Sequence, residues 1–377
     1  MRTIYYIPIE KLSERYTEQW YAWFPKAFKE QSFKVVTIDG EPLTNKIETG
    51  EFLDMNSTLH YKASQLKIIG KLFYEKKIQP NDIFFVADLE FWGIESIRYL
   101  SVLNKIPVKL YGFLHAASYY PEDFVQPCEP FAKFFEKGWL EVCDKIFVGS
   151  KYHKELIEKT RSDFGYSEFL SSKIIVTGNP WDTKEAIKLV GKVKKKNRII
   201  YTDLPDYRKR PNLFLSLVPL IKRWYPDTEI LLTTSRDTWG GKAPWIGEIA
   251  QSLQQIGLLK IKEGLSKKEY YTFLAESKAM ISTNTVAETF GYCAVEAMTF
   301  NTHPLLPNMF SYPELCDGND GILYNNFDEL LSKLNFAMLS DPPLYTLNYA
   351  QKYDKSIDKI IKAMQTLREI EDEKGKP

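Results

Sequence analysis

Short apolar runs alternate with amphipathic stretches from one end of the chain to the other. In the first half the runs are TIYYIPI (3–9), KVVTI (34–38), DIFFVADLE (82–90), VKLYGFLHA (108–116), KIFVGS (145–150) and KIIVTGN (173–179). In the second half they are RIIYTDL (198–204), EILLTTS (229–235), LLKIKEG (258–264), AMISTN (279–284), THPLLPN (302–308) and GILYNN (321–326). Runs this short, rich in β-branched and aromatic residues, read as strands buried on both faces. Helical patterns lie between them, at about 13–30, Pro211–Trp224, 244–256, Lys267–Glu276, 291–300 and 327–336. Buried strands separated by helices of about ten or more residues predict parallel sheets with crossover helices, an α/β architecture of two doubly wound, Rossmann-like domains.

Length agrees with two domains. The chain has 377 residues, and a single core stops growing at about 250–300. WDTKEAIKLVGKVKKKNR (181–198) is basic and strand-free, and suits a helix followed by a linker. The predicted division is 1–190, a first Rossmann-like domain; 191–343, a second; and 344–377, a helical tail able to cross back over the first domain. The last residues, REIEDEKGKP, read as a solvated end.

Composition narrows the class. Hydrophobic residues make up 44% and charged residues 26%, an ordinary globular mix. Fifty Lys and Arg against 49 Asp and Glu exclude a bulk polycation but leave room for a local basic groove. Cys128, Cys143, Cys293 and Cys316 have no metal or disulfide spacing, so reduced thiols and a cytoplasmic setting are expected. The first residues hold too short an apolar run for a signal peptide, and no run approaches the ~18 apolar residues of a membrane span.

Open parallel sheets bind ligands beyond the carboxyl ends of their strands. Two such domains facing each other would build one cleft from two sets of strand ends, so residues at those ends are the candidates. One stretch there carries chemistry: AETFGYCAVEAM (287–298). It reads as a loop entering a helix at Gly291. The first amides of a helix lack intrahelical acceptors and carry the positive end of its dipole, so the backbone at Gly291, Tyr292 and Cys293 is a candidate seat for a phosphate. Glycine there would let a phosphate approach the backbone. Glu288 before the helix and Glu296 beyond its first turn would reach hydroxyls on either side of a diphosphate, the outline of a nucleotide sugar.

The surrounding residues, from LKIKEGLSKKEYYTFLAESKAMISTN through HPLLPN, SYPEL and NDGILY, resemble the C-terminal domain of the retaining GT-B glycosyltransferases, the family of sucrose synthase, glycogen synthase and bacterial mannosyltransferases. The likeness rests on Glu288 and Glu296 eight positions apart, on ETFG, EAM and HPLLPN, and on Glu314 in SYPEL; it spans about 198–334. It implies that Glu288 contacts the transferred sugar and Glu296 the donor ribose. It also implies that amides around Phe290–Cys293 hold the diphosphate of a UDP- or GDP-sugar, and that no metal or other cofactor is required. KRPNL aligns Lys209 with the family's phosphate lysine. The family's upstream arginine falls on Leu204, a departure that Arg208 or Arg210 is expected to offset. CDKIFVGS and KIIVTGNPWD are similar to first-domain segments, and His115 stands where the family often has a histidine beside the reacting sugar. The family's glycine-rich loop after the first strand is missing; IPIEKLSERY replaces it, with Glu10, Ser13 and Arg15 as candidates. His60, His153 and His303 have no argued role, His153 fitting an exposed helix.

The aromatic stretch HAASYYPEDFVQPCEPFAKFFEKGW (115–139) is predicted to overhang the acceptor. Weaker similarity to bacteriophage glycosyltransferases that decorate hydroxymethylated pyrimidines makes duplex DNA the leading acceptor. KVKKKNR and YRKRP would serve as backbone-binding strips. Carbohydrate, lipid or small-molecule acceptors stand as alternatives, as do a non-catalytic nucleotide-sugar binder and a phosphorylase. Oligomeric state is open.

Overall fold

The computed structural model describes residues 2–12, 17–44, 54–121, 123, 125–161, 168–234, 244–340 and 345–374; of 168, 169, 208 and 366–374 it describes the backbone alone. The chain forms two compact units. The first holds Met1–Ile47, Leu53–Pro180 and Lys355–Pro377, and the second Trp181–Asp354.

The first unit is built on β1 (Thr3–Ile7), β2 (Lys34–Thr37), β3 (Ile83–Val86), β4 (Lys109–Phe113), β5 (Lys145–Val148) and β6 (Ile174–Val176). They form one sheet in the order β2-β1-β3-β4-β5-β6, every pair parallel. Each is an apolar run because helices cover both faces. Much of the aromatic content lies here: Phe24 and Phe28 of the helix Thr17–Glu30 meet Tyr6 and Phe85, with the Phe24 and Phe85 rings 4.8 Å apart. The helix Ser356–Lys374 returns to this unit. Its Ile360, Ile361 and Met364 are buried, and it packs on the helix Thr17–Glu30 and on β5.

The second unit is built on β7 (Arg198–Tyr201), β8 (Glu229–Thr234), β9 (Lys260–Glu263), β10 (Ala279–Ile281), β11 (His303–Pro307) and β12 (Leu323–Tyr324). The order is β12-β11-β10-β7-β8-β9, again all parallel. The helix Thr183–Val190 is capped by Asp182 and tied to Asp354, whose carboxylate accepts from the Thr183 amide at 2.8 Å and its hydroxyl at 2.7 Å. Trp181 Nε1 donates to Thr299 Oγ1 at 2.9 Å. These bonds place 181–190 with the second unit.

Each sheet has one point where the chain reverses its direction of winding. In the first unit the chain steps from β1 outward to β2, then returns to the other side of β1 for β3. In the second it winds β7-β8-β9, then crosses back to lay β10 against β7. Crevices open at such switch points, beyond the strand ends.

The interior of the first unit corrects one expectation. His153 is not on an exposed face: the helix Lys151–Arg161 buries His153, Ile157 and Arg161, one stripe at four-residue spacing. The His153 ring lies 2.6 Å from the Tyr119 hydroxyl, and burial, aided by the charge of His115, pushes it down to about 3. The aromatic stretch after His115 divides between core and surface. Tyr119 and Trp139 are buried, while Phe131 and Phe134 of the helix Glu129–Val142 are exposed. Arg161 pairs with Glu136 and, at 3.3 Å, with Glu129, and the Ser118 amide donates to Glu136 at 2.8 Å. Among the described residues no helix is long and apolar enough to cross a membrane.

Removing one partner of a buried ion pair leaves the other charge without compensation. Arg161→Leu is therefore expected to cost about 3–5 kcal/mol, seen as a lowered first melting transition. Replacing Glu136 and Arg161 together with leucine is expected to cost far less.

Candidate functional site

Lys209 ends the short 3-10 turn Tyr207–Lys209, just before the helix Pro211–Trp224. Its backbone is clamped: Tyr201 Oη donates to the Lys209 carbonyl at 3.3 Å, and Thr283 Oγ1 to the Arg210 carbonyl at 2.9 Å. Thus β7 and the segment after β10 both hold the turn. Lys209 Nζ donates to Glu288 Oε2 at 2.7 Å. Asn284 Nδ2 donates to the same oxygen at 3.3 Å and to the Ala287 carbonyl at 2.9 Å. Burial pulls the Lys209 ammonium down, but Glu288 and Asp203 facing it more than offset that and hold it above its ordinary value. Arg208 lies outside the described side chains. Arg210 is exposed, in a left-handed conformation at φ 52°.

Behind this pair is a residue that the sequence reading passed over. Asp203 follows β7, directly before the Leu204 taken as the missing arginine. Its carboxylate is buried and accepts from Ser282 Oγ at 2.5 Å. Burial raises its pKa; Lys209, Ser282 and the Cys293 thiol act in the opposite direction. Ser282 Oγ also lies 3.2 Å from Tyr312 Oη. The signal was present in the chain: Asp203 and Ser282 stand at the carboxyl ends of neighbouring strands β7 and β10, on the switch point.

Gly291 begins the helix Tyr292–Thr299 at φ 89°. A methyl group there would meet Tyr312 at 3.0 Å and Leu315 at 3.2 Å. Glycine is therefore required by the left-handed backbone and by the packed Tyr312, a more local reason than the approach of a phosphate. The Phe290 side chain is buried, edge-on to Tyr292 at 5.0 Å and Tyr353 at 4.8 Å, so only its backbone is available to a ligand. Cys293 Sγ lies 3.5 Å from the Thr202 carbonyl, which sets the helix start against the loop that carries Asp203. Burial pushes the Cys293 thiol well up, so it stays protonated. Amides of the first turn have no acceptor inside the helix.

Glu296 projects from the same helix and is nearly buried. Tyr270 Oη donates to its Oε2 at 2.7 Å and Tyr271 Oη to its Oε1 at 3.4 Å. Burial pushes its carboxyl up to about 7, against the Tyr270, Lys267 and Tyr271 side chains, which lower it. The structure thus brings Lys209, Glu288 and the start of the Tyr292–Thr299 helix to one switch point, with Glu296 on that helix.

His115 belongs to the first unit. It lies just beyond β4, against Trp20 and Phe113, with Nε2 2.9 Å from the Ala87 carbonyl that follows β3. That contact makes Nε2 the donor, and Nδ1 of the neutral ring an acceptor. The switch point of this unit gathers its own polar group on the helix Met55–Tyr74. Glu10 accepts from Ser57 Oγ at 2.9 Å and Thr58 Oγ1 at 2.8 Å. Asp39 accepts from Tyr61. Lys62 bonds the Glu90 carbonyl and pairs with Asp88 at 3.4 Å. Ser13 and Arg15 lie outside the described residues. Of the remaining histidines, His60 Nδ1 lies 2.8 Å from the Glu41 carbonyl, and the buried His303 has Nε2 2.9 Å from the Gly321 carbonyl. Among the described residues no group of three or more His, Cys, Asp or Glu side chains is placed to hold a metal ion.

Two expected outcomes follow from this geometry. Gly291→Ala forces a side chain into the left-handed region and is expected to cost about 1–3 kcal/mol, read from the melting of the second unit. Glu296, raised from 4.5 to about 7, holds in the folded state a proton that the unfolded chain has lost. Stability therefore falls as pH rises from the unfolded to the folded value. Glu296→Gln removes that slope: it is expected to melt like the wild type near pH 4, and to be more stable by about 1–3 kcal/mol at pH 8.

No protein-family model matches the chain, and no curated protein sequence matches it significantly. Solved structures do. Sucrose-phosphate synthase from Thermosynechococcus elongatus is similar with a TM-score of 0.66 at 11% identity, over 98% of this chain and 99% of that one. The α,α-trehalose 6-phosphate synthase of Burkholderia multivorans gives 0.67 at 10%, over 98% and 99%. Anabaena HepE, solved with UDP and glucose, gives 0.63 at 13%, over 97% and 100%. These are GT-B glycosyltransferases, matched along their full length. The two parallel six-stranded sheets of this chain, with their interleaved helices, are the GT-B fold.

Proposed function

We propose that this chain is a glycosyltransferase that moves a sugar from a UDP-sugar to an acceptor hydroxyl with retention of configuration. The observation that carries the reading is the half-buried Lys209–Glu288 pair, set beside the start of the helix Tyr292–Thr299 at the β7–β10 switch point. A lone lysine paired with a carboxylate is ordinary. One held at a switch point, next to helix amides, is placed to receive a diphosphate. UDP as the nucleotude part is supported by similar folds solved with UDP, UDP-glucose, or UDP and GlcNAc.

In the proposed scheme the donor's anomeric C–O bond breaks and the acceptor oxygen bonds the same carbon from the same face. The acceptor proton passes to the leaving phosphate oxygen, so no strong side-chain base is needed. Lys209 and the first-turn amides stabilise the negative charge that grows on the diphosphate. When the diphosphate takes Lys209, Glu288 is released to accept from sugar hydroxyls. Glu296 with Tyr270 is assigned to the ribose, and His115, through Nδ1, to accepting a hydroxyl proton in hydrogen bonding. Arg208 is retained as a second cation for the diphosphate. No metal takes part in this scheme.

For the acceptor, the polar residues of the first unit favour an uncharged hydroxyl compound over DNA. Its switch point carries Glu10, Asp39 and Asp88 against Lys62. Carboxylates accept from hydroxyls but repel phosphodiesters. The basic strip expected to bind a DNA backbone is also partly engaged: Lys195 Nζ bonds the Ser277 carbonyl at 2.7 Å and Thr302 at 2.8 Å, and Lys196 pairs with Glu276 at 2.6 Å.

Lys209→Ala is expected to weaken UDP binding by about 10–100-fold, the loss of one charged hydrogen bond, measured by calorimetry; wild-type affinity removes it from the site. Glu288→Ala is expected to lower turnover of UDP-sugar by about 100-fold or more with little change in UDP affinity, and EDTA to leave turnover unchanged. Incubation of UDP-glucose with carbohydrate, small-molecule and hydroxymethylated-DNA acceptors, followed by mass spectrometry, decides the acceptor. Sugar on the DNA alone overturns the uncharged-acceptor reading, and donor binding with no product on any acceptor supports a binder instead of an enzyme.

A further inference from the structure

The charges at the β7–β10 switch point do not suit a diphosphate as they stand. Among the described side chains, one ammonium, Lys209, faces two carboxylates, Glu288 and Asp203. A sugar diphosphate arriving at Lys209 brings further negative charge into a buried site, where like charges repel strongly. Even with Arg208 as the second cation assigned above, two carboxylates and a diphosphate leave an excess of negative charge to be neutralised.

Glu288 is a poor proton acceptor in this setting. With Lys209 drawn to the diphosphate, Glu288 Oε2 still accepts from Asn284 Nδ2, which can only donate, and the carboxylate is turned to accept from sugar hydroxyls, so a proton on it would cost those bonds. Asp203 differs. Its partner is the Ser282 hydroxyl, which both donates and accepts, and Ser282 Oγ lies 3.2 Å from Tyr312 Oη, which does the same. If Asp203 gains a proton, its O–H can donate to Ser282 Oγ and the serine hydroxyl can turn to Tyr312. The Asp203–Ser282 and Ser282–Tyr312 bonds are both kept in reversed sense, and the Tyr312 O–H turns away from Ser282. Besides Lys209 and Glu288, the groups facing Asp203 are Cys293, Tyr201, Tyr312 and Tyr324. Burial raises all four, so they stay neutral near pH 7, and Lys209, raised as well, stays charged.

We propose that Asp203 is a charge-compensating, positioning residue for the donor: it takes up one proton from solvent when a sugar diphosphate binds Lys209, through reversal of the Asp203–Ser282–Tyr312 hydroxyl chain. This inference rests on the donor reading above. The step is a single protonation, a carboxylate plus a proton giving a carboxylic acid, with the proton drawn from the buffer. It couples donor affinity to pH. A ligand that binds with proton uptake binds more tightly as pH falls. Glu296 works the other way, because a protonated carboxyl that must accept from ribose hydroxyls releases its proton. The comparison between variants is therefore diagnostic, where the wild-type value alone is not.

The test is calorimetry of UDP-glucose, whose diphosphate is fully ionised near neutrality, at pH 7 in buffers of low and high ionisation enthalpy. Wild type is expected to take up between half a proton and one proton more than Asp203→Asn, and its affinity to weaken by up to about tenfold per pH unit more steeply. Tyr312→Phe keeps the buried ring but removes the end of the relay, and is expected to bind UDP-glucose with reduced proton uptake. Melting curves establish that each variant is folded, and if Asp203→Asn is not, Tyr312→Phe carries the test. Proton uptake equal to wild type in a folded variant that binds the donor overturns the proposal. Absence of any UDP-glucose binding to wild type is a different result: it overturns the donor reading and this inference with it.

Discussion

An ammonium withdrawn from most of its water survives only where acids face it, because the interior solvates charge poorly. Lys209 satisfies this constraint at the carboxyl edge of the second sheet. Glu288 holds it directly and Asp203 faces it from the end of β7. Tyr201 and Thr283 fix the turn that carries it, and Asn284 bonds the carboxylate. Those residues come from β7, from the segment after β10 and from the loop before the Tyr292–Thr299 helix. The pair can form only if β7 and β10 are neighbours, so the topology of the sheet and the electrostatics of the site are one arrangement.

The alternation of apolar and amphipathic stretches made the architecture legible. Strands buried on both faces need helices above and below, and twelve such runs separated by helices leave little besides two parallel sheets. Glu288 and Glu296 are candidates by their place beyond a strand end, and Lys209 by the likeness of KRPNL to the family's pattern. Their partners are not legible. Asp203 is hidden because the family pattern places an arginine one residue later, at Leu204, and says nothing of an acid beside it. Tyr270 and Tyr271 lie on a different helix from Glu296, and nothing in local spacing announces that they bond it.

His153 and Gly291 show two other limits. On the helix Lys151–Arg161 the buried stripe runs through a histidine and an arginine, residues that a polar reading assigns to solvent; Tyr119 and Glu136 make their burial tolerable. At Gly291 the sequence points to a ligand's needs. The immediate cause is internal: a backbone at φ 89° and the Tyr312 ring where a side chain would go. A single chain read alone gives the residue type at each position, while the reason for it lies in whatever packs there from elsewhere.

The two switch points also differ in how they treat charge, and that difference bears on chemistry. In the first unit the acids are bonded mainly by hydroxyls: Ser57 and Thr58 on Glu10, Tyr61 on Asp39. Hydroxyl donors can be exchanged for those of a ligand at little cost, since each bond lost is replaced by one of the same kind. In the second unit the carboxylate Glu288 is bonded by an ammonium, and releasing it requires an anion to take the lysine in its place. Occupancy by a diphosphate and availability of Glu288 to a sugar are then linked: the acid becomes free to accept only once the anion has seated. Such an order favours sugar bound as part of a nucleotide diphosphate over free sugar, because free sugar brings nothing to compensate Lys209.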